Sequence, residues 1–397
     1  MRVLMFGWEF PPHNSGGLGV ACFGIAKALT EKNVHIAFVL PKKFPVANDF
    51  LTILFADIDD SRISMRYVDS AVMPYRYSVT GDPGLLQYHF GFSLQDEVRK
   101  YASAARAIAQ RERFDIIHAH DWLSICAGMA AKEVSGKPLV VHVHATEFDR
   151  SGGLDINREV YDIEQAGFDA ADKIIAVSNY TREMILSRYR VSPEKIEVVH
   201  NGHEPSGNFP KENGLLNLKK DGTKIVLFLG RITLQKGPDY FIQTAKRILD
   251  VYPKVVFLVA GSGDMEHQIV REASRLGISD KILFTGFLRG DEQTMAYQAA
   301  DVFVMPSVSE PFGIVPLEAL AHGTPVLVSK QSGVSEVLAH ALKADFWDTE
   351  EMANKIIALL ENKPLHENLS ANGRTESLRQ TWLSAADKIM RVYNSLL

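Results

Sequence analysis

The residues most able to do chemistry lie in one string, Ser309-Glu310-Pro311-Phe312-Gly313-Ile314-Val315-Pro316-Leu317-Glu318. It follows Val302 to Met305, an apolar run of the kind that forms a buried parallel strand. Glu318 stands eight positions after Glu310, with Phe-Gly-Ile between them. A loop carboxylate and a helix carboxylate at that spacing can face one site. Gly313 lets successive backbone N–H groups converge near a helix start, which suits a sugar or a phosphate. Two acids alone would read equally well as surface groups beside a Pro-bounded helix; the whole string reads as a site.

Two cations come earlier, in Gly230-Arg231 and Lys236-Gly237, after the apolar run Lys224 to Leu229. An Arg fork grips phosphate oxygens and a Lys acts as a point charge. On its own this spacing would mark only a solvated loop. A third element is Asn14-Ser15-Gly16-Gly17-Leu18-Gly19, just after the first apolar run. Its glycines allow an anion to approach the backbone, and the helix it opens adds a partial positive charge. The spacing is not that of the dinucleotide fingerprint, and no acid ends the second run at Val39-Leu40. A nicotinamide enzyme is therefore disfavoured. A tight turn without a ligand is the bland alternative.

Histidines supply the fourth element. Ile117-His118-Ala119-His120-Asp121-Trp122 and His142-Val143-His144 end predicted strands. Residues i and i+2 share one face of a strand, so each pair can point at one place. Three readings stay open: polar core histidines, substrate contact, and a metal, since His-x-His can hold zinc. The further His of a metallo-hydrolase pattern is missing.

Something must hold these groups, and the pattern predicts alternating strands and helices. Val3 to Phe6, the helix Val20 to Glu31 and Val34 to Leu40 make a β–loop–α–β opening. Runs at Leu51 to Phe55, Ile116 to His118, Leu139 to Val143, Ile174 to Val177 and Ile196 to Val199 continue the first series. Helices are predicted at Ser93 to Glu112, at Trp122 to Val134 and from Asn179. Residues 200 to 214, rich in Gly, Pro and Asn, read as a linker. A second series follows at Lys224 to Leu229, Val255 to Ala260, Ile282 to Phe284, Val302 to Met305 and Pro325 to Val328. From about Glu367 the chain reads as largely helical. The expected fold is α/β, with two Rossmann-like doubly wound domains facing each other across a cleft. Ligands bind beyond the carboxyl ends of such strands.

At 397 residues, two α/β domains are the natural count. Lys and Arg number 43 against 48 Asp and Glu, a net charge of −5 with no basic block, so nothing argues for nucleic acid. Cys22 and Cys126 cannot build a disulfide framework and suit a reducing compartment. The first residues, MRVLMFGWEFPP, break off too soon for a signal peptide, and no apolar run is long enough to span a bilayer. The expectation is a cytoplasmic protein without a transmembrane segment, with peripheral membrane contact left open.

The E-P-F-G-I-V-P-L-E string, with G-R and K-G before it, resembles the retaining glycosyltransferases of the GT-B fold. That family includes glycogen synthases, sucrose-phosphate synthases and bacterial mannosyltransferases. Trp8-Glu9-Phe10-Pro11-Pro12 with Gly16-Gly17-Leu18-Gly19, and His118-Ala119-His120-Asp121-Trp122, look more like its glycogen and starch synthase branch. The resemblance implies an acceptor-side domain over 1–205, a nucleotide-sugar domain over 206–375, and a last helix over 376–397 crossing back. It implies that Glu318 holds the donor ribose and that Glu310 sits beside the transferred sugar. Phe312, Gly313 and Ile314 would lie against sugar and phosphate, Arg231 and Lys236 on the diphosphate. Gly16 and Gly17 would meet the phosphate, His144 the transferred sugar, and Phe287 and Leu288 the base. His118, His120 and Asp121 fall on the acceptor side. Departures are visible: Asn14-Ser15 replace the usual lysine motif, and Asn201-Gly202-His203-Glu204 replaces the usual Asn-Gly-Val-Asp.

The implied reaction moves a hexosyl group, glucosyl first, from a nucleoside-diphosphate sugar to a carbohydrate or other hydroxyl acceptor. It would need no metal and no cofactor, because Arg231, Lys236 and loop amides absorb the leaving group's charge. Rival readings are a sugar-nucleotide epimerase of the same fold, a metal-dependent transferase using Asp57 and Asp59 of Asp57-Ile58-Asp59, and a binding module without catalysis.

Overall fold

Apolar runs from the first half of the chain pair into one seven-stranded sheet, and those from the second half into a six-stranded one. A computed structural model describes residues 1–11, 16–43, 49–56, 94–153, 155–204 and 214–397. The first sheet holds β1 (Arg2–Phe6), β2 (His35–Leu40), β3 (Thr52–Phe55), β4 (Ile116–His120), β5 (Leu139–Val143), β6 (Lys173–Ala176) and β7 (Ile196–Val198). Its order is β3-β2-β1-β4-β5-β6-β7. The second holds β8 (Lys224–Leu229), β9 (Val255–Ala260), β10 (Ile282–Gly286), β11 (Val302–Met305), β12 (Val326–Ser329) and β13 (Leu342–Ala344), in the order β10-β9-β8-β11-β12-β13. Every pairing is parallel.

Helices cover both faces of each sheet, which is why the strands are continuous apolar runs and not alternating ones. On one face of the first sheet, the helices Leu94–Arg111, Trp122–Ser135 and Arg158–Ala170 bury Val98, Tyr101, Leu123 and Phe168 against Leu4, Ile117 and Val141. On the other, Gly17–Glu31 and Trp382–Asn394 bury Ile25, Leu29, Trp382 and Ile389 against Met5, Phe38 and Val140. In the second sheet, Pro238–Leu249 and Thr349–Glu361 lie over one face, with Asp291–Ala299 and Val315–Ala321 over the other.

The last helix therefore packs on the first sheet although it ends the chain. Gly24 allows this: a Cβ there would lie 2.3 Å from the Trp382 ring. Gly202 plays the same part, since a Cβ would meet the Thr381 backbone at 2.2 Å. The segment leaving β7 and the one entering the last helix thus run side by side, joined by His203 N–H to the Gln380 carbonyl at 2.9 Å. Residues 205–213 of the predicted linker, and Asp57 and Asp59, lie outside the described residues. β13 and the helices Glu147–Arg150, Arg158–Ala170 and Thr349–Glu361 went unpredicted. The stretch from Glu367 onward divides between two helices, Lys363–Ser377 and Trp382–Asn394.

In each sheet the strand order reverses once, between β1 and β4 and between β8 and β11. Chains leaving neighbouring strands in opposite directions open a crevice at that point. The glycine turn follows β1, the His118–His120 pair ends β4, Arg231 follows β8 and Glu310 follows β11. All the predicted site residues except Phe287, Leu288 and Glu318 leave from these strands or from β5 beside them.

Candidate active site

Lys236 reaches Glu310 because of a glycine. Gly237 has φ +63°, and a Cβ on it would stand 2.1 Å from the Pro306 carbonyl oxygen. The loop after β8 thereby lies flat on the loop after β11, and the Lys236 ammonium donates to Glu310 Oε2. Ser307 Oγ donates to the same oxygen at 3.3 Å. Arg231 starts this loop, and its guanidinium donates to Gln235 Oε1 at 3.3 Å. Gly313, at φ +98°, turns the chain sharply after Phe312, whose ring is buried in the second domain's core. Ile314 packs against cores of both domains.

Glu318 sits in the first turn of Val315–Ala321 and accepts from Tyr297 Oη at 2.7 Å and Gln293 Nε2 at 3.0 Å. Burial pushes its carboxyl up, against the pull of the Tyr297 hydrogen bond. Gln293 and Tyr297 went unnoticed in the sequence, although their i, i+4 spacing on the helix Asp291–Ala299 puts them on one face. Phe287 follows β10, 55% exposed, with the Arg289 guanidinium 5.0 Å from its ring centre. Leu288 packs against the core.

The first sheet carries a ladder of four imidazoles. His118, His120 and His142 are fully buried, and His144 at the end of β5 is partly exposed. His120 Nδ1 lies 3.0 Å from His144 Nε2, His118 Nε2 3.2 Å from His142 Nδ1, and His118 Nδ1 2.5 Å from the Tyr393 hydroxyl. Burial holds His144 and His118 down at about 3, so both rings are neutral at pH 7. His118 and His120, expected on the acceptor side, are instead inside the fold with no surface to offer an acceptor. Asp121 is nearly buried too, at φ +57°, and its Oδ1 accepts from the His144 and Ala145 amides at 2.6 and 3.2 Å. It fixes the loop that carries His144, while its Oδ2 has no partner. Among the described residues two trios could hold a metal, Cys22-His120-His144 and His118-His120-His142, each with ligand atoms within 4.8 Å of one another. In each, at least two rings already hydrogen-bond each other.

The two domains meet beside Glu310. Ser309 Oγ donates to Asp149 Oδ1 at 2.6 Å, and Asp149 belongs to the capping box that opens Glu147–Arg150. Ser178 and Thr181 both donate to the Pro311 carbonyl. Glu336 accepts from the Asn179 and Tyr180 amides at 2.9 and 2.6 Å, at the start of the helix Asn179–Arg188. Asp149, Ser178, Thr181 and Glu336 carried no motif, because each meets its partner across a gap of more than a hundred residues.

Facing switch points, a lysine from one loop on the carboxylate of another and a seam beside them define a two-domain glycosyltransferase of the GT-B fold. The family model for "Glycosyl transferases group 1" matches residues 216–376, and that for "Glycosyltransferase Family 4" matches residues 15–206. A D-inositol 3-phosphate glycosyltransferase of Acidothermus cellulolyticus is 30% identical over 75% of this chain and 71% of its own length. A glycogen synthase of Mycobacterium tuberculosis is 26% identical over 99% of this chain and 94% of its own length. The solved sucrose-phosphate synthase of Thermosynechococcus elongatus shares the fold at a TM-score of 0.80, with 20% identity over 100% of this chain and 99% of that one. The chain belongs to the group 1 glycosyltransferases and is an enzyme. No helix among the described residues is long and apolar enough to cross a membrane.

Proposed function

We propose that this enzyme moves a glucosyl group from a nucleoside-diphosphate glucose to a hydroxyl of a carbohydrate acceptor, with retention of configuration and without a metal. The observation that carries the reading is the Lys236–Glu310 contact beside Arg231, opposite the glycine turn that opens Gly17–Glu31. Cleaving the bond between sugar and diphosphate builds negative charge on the leaving oxygen. Lys236, Arg231 and the amides at the helix start supply fixed positive ends for it. Glu310, held by Lys236 and Ser307, is placed for the sugar. His144, neutral and fixed by Asp121 and His120, donates or accepts a hydrogen bond without adding charge.

The relatives support glucosyl transfer through the name of the glycogen synthase, which matches nearly the whole chain. UDP-, ADP- and GDP-glucose are the donors to screen, with oligosaccharide acceptors, for released nucleoside diphosphate. Arg231→Ala is expected to lower kcat/KM by about 10²- to 10³-fold, as loss of one preorganised charge donor does. Turnover in EDTA is expected to equal that in buffer, and the product anomer by NMR to match the donor's. An unchanged kcat/KM in Arg231→Ala, or activity abolished by EDTA and restored by manganese, would overturn the reading.

A further inference from the structure

Glu9 follows β1 in the turn before Gly17–Glu31, and only 5% of it is exposed. The Gly19 amide, in the first turn of that helix, bonds to its carboxylate. The other oxygen, Oε2, is buried without a hydrogen-bond partner. A Cβ on Gly16 would lie 3.2 Å from Oε2, so Gly16 stands against that oxygen and any side chain there would crowd it. Arg231, from the second domain, is near enough to draw on the carboxyl from across the cleft. Glu9 and Asp121 both act on the buried Cys22 thiol, which gathers these two acids at the crevice between β1 and β4.

We propose that the Glu9 carboxyl, between Gly16 and Arg231, is a subsite that accepts a hydrogen bond from a hydroxyl of the transferred sugar. This rests on the donor reading above. A buried acceptor without a donor is costly to keep, which points to a ligand that completes it. A phosphate does not: its oxygens are charged and only accept, so a carboxylate repels them. A sugar hydroxyl donates, and the crevice already has cations for the diphosphate.

The test is calorimetric titration of the full chain with UDP-, ADP- and GDP-glucose and with bare UDP, ADP and GDP. Glu9→Ala removes the acceptor; Gly16→Ala, at φ −70° where alanine is allowed, obstructs it and leaves the Gly19 bond in place. With the base the wild type prefers, Glu9→Ala should lose about tenfold in affinity for the glucose nucleotide and stay within about twofold for the bare diphosphate; Gly16→Ala, which also borders the phosphate, should lose about tenfold more for the glucose nucleotide than for the bare diphosphate. Equal losses for both ligands would make Glu9 a helix cap only, and no loss for either would make it a bystander; each overturns the subsite. If Glu9→Ala does not fold, Gly16→Ala decides alone. A wild type that binds none of the six ligands overturns the donor reading and this inference together. Binding that Arg231→Ala weakens and neither variant changes overturns only this one.

Discussion

At the scale of single residues, the site sets charge against burial. Glu310 is 6% exposed, and an unpaired carboxylate there would be costly, so Lys236 neutralises it. The histidine ladder solves the same problem by staying uncharged. Burial, and then the neighbouring rings, hold His142 well below its ordinary value, while the unfolded chain titrates it near 6.5. A folded pKa below the unfolded one means that the unfolded state takes up protons first. Stability is then complete above about 6.5 and falls as the pH drops toward 3. His142→Leu cannot charge in either state. Its Tm should fall less between pH 7 and 4.5 than the parent's, even if it starts lower at pH 8. Parallel curves would remove the ladder from the acid sensitivity.

At the scale of elements, the loops after β8 and β11 decide whether Lys236 meets the Glu310 carboxylate, and Gly237 controls their approach. Gly237→Ala puts a methyl against the Pro306 carbonyl and forces a left-handed alanine. A loss of about 1–3 kcal/mol in urea unfolding is expected, with a fall in transfer rate as Lys236 is displaced. Gly230→Ala is the control, since a Cβ there meets nothing within 4 Å. It should leave the unfolding midpoint near the parent's. Similar midpoints for the two variants would show that the close approach does not matter.

At the scale of the molecule, the end of the chain stabilises its beginning. Trp382 is 8% exposed and lies over Gly24 on the first helix, and Lys32 pairs with Asp387 along the same face. Trp382→Ala should cost about 3–5 kcal/mol, read as a lower urea midpoint. The loss should appear in the unfolding of the first sheet, followed by exchange of the amides of β1 and β4. Protection of those amides at the parent's level would mean that the last helix only rests on the surface.

The apolar runs and their helical spacers were enough to determine an α/β chain with two parallel sheets, because strands buried on both faces carry that signal locally. The Glu310–Glu318 string, Arg231 and Lys236 were legible for the same reason: each is a short motif in a loop between predicted elements. Gly237 and Gly313 were legible only as glycines, and that one permits a loop contact and the other a sharp turn needs coordinates. The tertiary structure alone decided the fate of the histidines. Strand register stacks the two pairs into one ladder and buries His118 and His120, and no local pattern states which face of a strand a second helix will cover. It alone set Tyr297 and Gln293 on Glu318, Asp149 on Ser309, and Glu336 on the helix at Asn179. It also left Glu9 with an open oxygen, since hydrogen bonds between residues far apart in the chain are determined by packing rather than by neighbours.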